Sequence, residues 1–319
     1  KMLEIARMAT SRVKKPELLL SLWENVLEAD PECIEALENL EQLYEREKNW
    51  EKLVEIARKL LELVADPARQ SAVCLKLAST LQEKMEDAAG AVEVWRRLLE
   101  LEPDNRRAQD ALKKLLVDLG QYDDLEDLFR QWGKLEEFIR ITSKQAETES
   151  ENEKKIELLF REARIWRTDL AKADRAMKAL EKVLEVDADN LQAAESLIEL
   201  YEEAQAFKKL PQVLEIRIRH TEDETLRRDR MEELARIYEE HIRDRENAFS
   251  WYLEAFKAGP ELEHLRAACE RLAGVVENGW AKLVAAYESA CESVQDASVQ
   301  LALLPVIASA WENSLKDPD

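Results

Sequence analysis

Glycine and proline are scarce in this chain, six and eight in 319 residues, and β-branched residues do not gather in runs. Few sites can therefore turn tightly, and little favours a sheet. Long apolar runs are missing too. Nothing approaches the roughly 20 consecutive apolar residues that span a bilayer, and Lys1-Met2-Leu3-Glu4 opens no signal-peptide core. Cysteine is limited to Cys33, Cys74, Cys269 and Cys291, whose spacings of 41, 195 and 22 match no zinc or redox motif. Each is expected inside a helix as a buried, reduced thiol, which suits a cytoplasmic protein. Positive charge is in deficit: 47 Lys and Arg against 68 Asp and Glu leave a net −21. A chain that grips phosphates by charge is normally basic, so nucleic acid is excluded as a partner, and basic partners are favoured.

Catalytic and metal signatures are also wanting. The glycines, at 90, 120, 133, 259, 274 and 279, form no phosphate-cradling loop. His220, His241 and His264 stand apart, without an H-E-x-x-H. His220-Thr221-Glu222 begins like a deaminase signature, but no P-C-x-x-C follows. Asp187 and Asp189 begin like a calcium loop, yet Leu191 takes the fifth position, and helix capping explains them better. Carboxylates are plentiful, but none stands in a run that looks buried and paired. These readings predict no enzyme, no cofactor and no metal.

What the chain has in abundance is Ala, Leu, Glu, Lys and Arg, the strong helix formers. Apolar residues recur at spacings of three and four, as in Ile34, Leu37, Leu40 and Tyr44, then Leu53, Ile56, Leu60 and Leu63. Short breaks at Lys48-Asn49, Asp87, Gly120, Ala204-Gln205, Arg243-Asp244 and Asn278-Gly279 make neighbouring helices antiparallel. Asp104-Asn105 and Asp189-Asn190 offer caps to the helices that follow. One interval threads the chain. The offset from Trp23 to Trp95 is 72, and it recurs from Pro31 to Pro103, from Trp50 to Tyr122 and from Leu180 to Tyr252. Such a period marks a repeat array.

Ala78, Ala163, Ala235 and Ala308 hold one small position, and Tyr44, Trp166, Tyr201, Tyr238 and Trp311 an aromatic one later in the same helix. Ala91, Ala176 and Ala248 hold a small position early in the next helix, and Pro31, Pro103 and Pro260 close the pair. This pattern resembles the tetratricopeptide repeat family. A small residue lets two helix backbones approach while bulky neighbours fill the groove. Glu41, Lys113 and Glu270 depart from it by putting charge at the small position. The resemblance implies an all-α, right-handed α-solenoid of antiparallel helix pairs. Residues 1–319 then form a single continuous array of eight helix pairs plus a terminal helix at 297–316, with pair ends that include Gln295.

From Ala78 to Ala163 the offset is 85 rather than 72. The excess points to an irregular insertion at 121–150, holding a short additional helix, a bend at Gly133 and a polar loop from Thr148 to Glu153. Ala6 precedes Ala78 by one full period, and Asp317 follows Asp244 at nearly the same offset, where a further helix would begin. Neither end carries a polar cap, so a fragment of a longer protein is expected.

In tetratricopeptide repeats the first helix of each pair lines the concave face, at positions 2, 5, 9, 12 and 13. The resemblance therefore implies a groove presenting Arg107, Asp110 and Lys114, then Phe160, Arg164 and Arg167. Glu195, Glu199, Glu202 and Glu203 follow, and Glu232, Arg236, Glu239 and Glu240 close the series. Glu195, Glu199 and Glu202 share one helical face. Beside Arg164 and Arg167 they make either a salt-bridge ladder or a dock for a basic or amphipathic peptide. The clamp that grips a C-terminal carboxylate is missing: its two positions read Glu38/Gln42, Leu75/Ser79, Asp110/Lys114 and Phe160/Arg164. The reading is a protein-interaction scaffold that binds a protein or peptide in the groove, without membrane insertion. The alternative is a structural spacer, or a dimerisation or regulatory module of a larger protein that could be enzymatic. An RNA-processing helical repeat of the half-a-tetratricopeptide type is opposed by the charge and the alanine pattern.

Overall fold

The computed structural model describes residues 1–13, 15–293 and 297–312. It divides into two compact units, Lys1–Phe138 and Ile139–Asp319. The first holds α1 (Met2–Arg12), α2 (Pro16–Ala29), α3 (Ile34–Arg46), α4 (Trp50–Leu63), α5 (Pro67–Lys84), α6 (Ala88–Leu101), α7 (Arg106–Asp118), α8 (Tyr122–Gln131) and the start of α9 (Leu135–Thr148). The second continues with α10 (Asn152–Arg164), α11 (Ala173–Val186), α12 (Leu191–Glu203), α13 (Leu210–Arg219), α14 (Glu224–Arg236), α15 (Arg245–Ala258), α16 (Glu263–Ala273), α17 (Gly279–Ser293) and α18 (Ala297–Ala310). No strand occurs among the described residues. Each unit is an all-α solenoid of helix hairpins. Residues 313–316 of the expected terminal helix, the break at Asp317 and the pair end at Gln295 lie outside the described residues.

Caps set the helix starts. Asn49, Asp87, Asn105, Asn190 and Asp244 each accept a hydrogen bond from the amide three residues on, at 2.9–3.3 Å. The asparagine does the capping in both Asp-Asn pairs, and Asp189 instead accepts from Arg219 and His220. Helix ends use left-handed residues at Lys48, Gly120, Gln205 and Asn278, and at Glu86, Ala171 and Arg243. The positions keep the sequence period, yet only Gly120 is a glycine.

The alanines are where helices touch: Ala78, Ala91, Ala176, Ala235 and Ala248 have no exposed surface. Ala308 is exposed instead, because no later helix covers it among the described residues. Trp23 and Trp95 fill the space beside such contacts, 1% and 2% exposed. Each donates its indole N–H to the helix before, Trp23 to Thr10 Oγ1 and Trp95 to Gln82 Oε1, both at 3.1 Å. Burying a ring of this size is a large apolar gain, provided the N–H finds a partner.

Several expectations need correction. Cys33 is not in a helix but immediately precedes α3; it and Cys291 are half-buried, so only Cys74 and Cys269 are buried thiols. Burial pushes the Cys269 thiol up to about 12. The polar loop expected from Thr148 to Glu153 is present but shorter, at Glu149, Ser150 and Glu151: α9 reaches Thr148, whose hydroxyl bonds back to the Lys144 and Gln145 carbonyls, and α10 starts at Asn152. A buried, paired carboxylate does exist. Glu126 is 5% exposed and accepts from Arg130 at 2.9 Å. Across 121–150 lie α8 and the whole of α9, with Gly133 between them at φ +65°.

Candidate functional site

The charged departures from the small position are held by partners. Glu41 meets Lys76 at 3.5 Å, Lys113 meets Asp110 at 2.8 Å and Glu137 at 3.4 Å, and Glu270 accepts from Tyr287 at 3.0 Å. Glu41 is the least comfortable. Burial raises its pKa against the pull of Lys76, and its Oε1 has no hydrogen-bond partner.

In the first unit, groove charges are consumed between neighbouring first helices. Arg7 pairs with Glu35, Arg69 with Glu38, and Lys76 with Glu45 at 2.7 Å. Of the expected groove residues there, Arg107 donates to Ser79 Oγ at 3.1 Å, Asp110 is held by Lys113, and Lys114 is exposed.

The second unit differs. α10 continues into a π-helical turn, Ile165–Asp169, and α14 into another, Ile237–Ile242. Arg167 and Glu239 sit on these turns, one sequence period apart. Arg167 places both terminal nitrogens 3.0 Å from Glu199 Oε2 and comes within 3.7 Å of Glu203. Glu239 accepts from Arg271 at 2.9 Å. Each pair spans 32 residues, so the positions match while the signs are exchanged. Arg271 holds the Glu239 carboxyl below its ordinary range despite partial burial. Glu232 accepts from His264 at 3.1 Å. Phe160 is half-buried, and Arg164 and Arg236 are exposed.

The α12 stripe stands out. Glu195, Glu199, Glu202 and Glu203 are all exposed on a helix carrying no Lys or Arg. Among the described residues no ion pair reaches Glu195 or Glu202. The structure thus joins Arg167 to Glu199 and Glu203 and leaves the rest of the stripe open to solvent.

A partner network missed in the sequence lies at the second helices. Glu24 accepts from Tyr44 Oη at 2.6 Å and Lys52 Nζ at 3.1 Å; Glu181 accepts from Tyr201 at 2.8 Å and Lys209 at 2.6 Å. Both lysines lie over the tyrosine rings, at 5.3 and 5.4 Å. Burial and the Glu24 carboxylate push Tyr44 up to about 12. A Glu followed by Tyr 20 and Lys 28 residues later was the available signal.

Residues 36–71, covering α3, α4 and the start of α5, match the family model described as tetratricopeptide repeat. The chain carries a tetratricopeptide repeat. A search of curated proteins finds no match to it. Solved structures similar to it include MamA, 16% identical over 67% of this chain and 89% of that one, TM-score 0.30. YrrB, titled a TPR protein with an unusual peptide-binding site, is 16% identical over 61% and 89%, TM-score 0.31. A tetratricopeptide repeat protein from Parabacteroides merdae ATCC 43184 is 12% identical over 85% and 97%, TM-score 0.31. At such scores these likenesses bear on neither site nor partner. No helix among the described residues is long and apolar enough to cross a membrane.

Proposed function

We propose that this tetratricopeptide repeat chain is a non-catalytic protein-interaction scaffold. Its occupant is a basic or amphipathic segment of another protein, docked on the exposed face of α12 and the neighbouring first helices. One observation carries this reading: among the described residues no ion pair reaches Glu195 or Glu202, on a helix with no positive charge of its own, while nearby Glu199, Glu232 and Glu239 are each matched. Like charges at i and i+4 cost a helix a few tenths of a kcal/mol per pair, a cost that a basic ligand would reverse.

The test is a Glu195→Lys/Glu202→Lys variant, which leaves the Arg167–Glu199 contact untouched. Partners recruited by the wild-type chain should be lost, and wild-type recruitment should fall with added salt. Recruitment unaltered by the variant refutes the groove and favours the spacer reading, for which the inter-helix ion pairs are the structural support.

A further inference from the structure

Two clefts in the first unit share most of their lining at one period's offset, with Leu40 and Tyr44 added only in the first and Trp132 only in the second. The first lies between α2 and α4, the second between α6 and α8, and each encloses about 440 Å³. Leu27, Pro31 and Ile56 of the first become Leu99, Pro103 and Leu128 in the second, one period on. Each therefore has an aliphatic lining a few methylenes long. The edges repeat as well. Glu24–Lys52 at 3.1 Å is replaced by Arg96–Asp124 at 3.1 Å, so one matched pair closes one side of each cleft. About one turn further along the same helices stand Glu28 and Glu55 in the first, Glu100 and Asp127 in the second. Glu55 is engaged by Lys59 at 2.8 Å, whereas residue 131, the counterpart of Lys59, is Gln. Among the described residues no ion pair reaches Glu28, Glu100 or Asp127.

An aliphatic slot ending at an unmatched carboxylate fits one kind of side chain: a hydrocarbon stem with a cationic head. Arginine and lysine bury their stems along apolar surface while the head stays at the rim. We propose that each cleft takes one arginine or lysine side chain of a basic partner, its stem on Leu27 and Ile56 or Leu99 and Leu128, its head at Glu28 or Glu100. A single chain presenting two such residues would engage both sites and gain by avidity. The second cleft, with two unmatched acids and no counterpart of Lys59, is the stronger. This surface belongs to the second helices and does not depend on the α12 groove.

The test uses the full chain with isotope-labelled Leu and Ile methyl groups, titrated with n-butylguanidinium and, separately, with n-butanol. With the guanidinium, the methyls of Leu27 and Ile56 and those of Leu99 and Leu128 should shift along saturable curves, the second set at lower concentration. Glu28→Gln should weaken only the first site and Glu100→Gln only the second, each about two- to fivefold, the range for an exposed ion pair. Both residues are exposed, so neither variant threatens folding. Curves unchanged in the Glu195→Lys/Glu202→Lys variant would establish independence from the groove. Absence of saturation, an equal response to n-butanol, or indifference to both Gln variants overturns the proposal.

Discussion

Removing one oxygen from Tyr201 tests whether the repeated tyrosine–glutamate–lysine contact stabilises the array. Tyr201 is 3% exposed, and its hydroxyl donates to Glu181 at 2.8 Å. A hydrogen bond to a charged group is worth about 1.5–3 kcal/mol. Lys209, 2.6 Å away, keeps its hold on the carboxylate, and the Glu181 side chain is 32% exposed, so solvent can replace part of what is lost. Tyr201→Phe should therefore cost about 1–2 kcal/mol, and Tyr44→Phe the same within ~0.5 kcal/mol. Repeat arrays need not unfold in one step, so the readout is native-state hydrogen exchange of α12 and α13 amides, or of α3 and α4 for Tyr44. The pH dependence adds a second check. Burial works to raise the Glu181 pKa, but the bonds from Lys209 and Tyr201 outweigh it and lower it below 4.5. A carboxyl with a depressed folded pKa stabilises above its unfolded value and loses that contribution as pH falls through the folded one. The wild-type advantage over Tyr201→Phe should thus be constant near neutrality and shrink once pH drops below about 4.5. A cost under about 0.3 kcal/mol at neutral pH, or an advantage that grows in acid, would refute the reasoning.

Glu41→Leu should range from neutral to stabilising by about 2 kcal/mol, since one carboxylate oxygen is buried without a partner and Lys76 retains Glu45. Because burial raises the Glu41 pKa, its ionised form opposes folding, so the gain should be largest at neutral pH and fade in acid; denaturant titration at two pH values checks both. Arg167→Glu alone should loosen the contact between α10 and α12 by about 0.5–1 kcal/mol, and adding Glu199→Arg should restore most of it, as the exchanged pair Glu239–Arg271 already does one period later. A thermal-melt double-mutant cycle with no coupling energy would show these pairs to be incidental.

Much of the fold was legible because helix formation and capping are local. Asn49, Asp87, Asn105, Asn190 and Asp244 cap where the sequence puts the breaks. Fixed small residues such as Ala78 and Ala235 report helix crossings for the same reason: only their size matters there. Cys33 misled because an apolar residue at a helix boundary looks like part of the helix. The breaks beside Glu86 and Arg243 were legible, but the left-handed backbone at Glu86, Ala171 and Arg243 was not, since none of these is a residue type that favours it. Nothing in the residue types announced the π-helical turns at 165–169 and 237–242. At the candidate site, the shared face of Glu195, Glu199 and Glu202 followed from helical spacing. That Arg167 takes Glu199 while no ion pair reaches the other two among the described residues depends on how two helices pack, which spacing does not encode.

Sign exchange explains why the charged half of the design was harder to see than the apolar half. A buried alanine contact constrains volume, so both repeats must keep Ala. An ion pair constrains only a product of charges. Glu24–Lys52 and Arg96–Asp124 satisfy it equally, as do Arg167–Glu199 and Glu239–Arg271. Residue identity at any one of these positions is therefore free to drift, and the repeat surfaces only when both partners are compared together. The same logic separates structure from binding. Several charges that hold neighbouring repeats occur as opposite-sign partners whose offset recurs, 28 residues for Glu24–Lys52, Arg96–Asp124 and Glu181–Lys209 and 32 for Arg167–Glu199 and Glu239–Arg271, whatever the order of signs. Charges that serve an external partner have no such obligation within the chain, and Glu195, Glu202, Glu28, Glu100 and Asp127 are exposed acids that no ion pair reaches among the described residues.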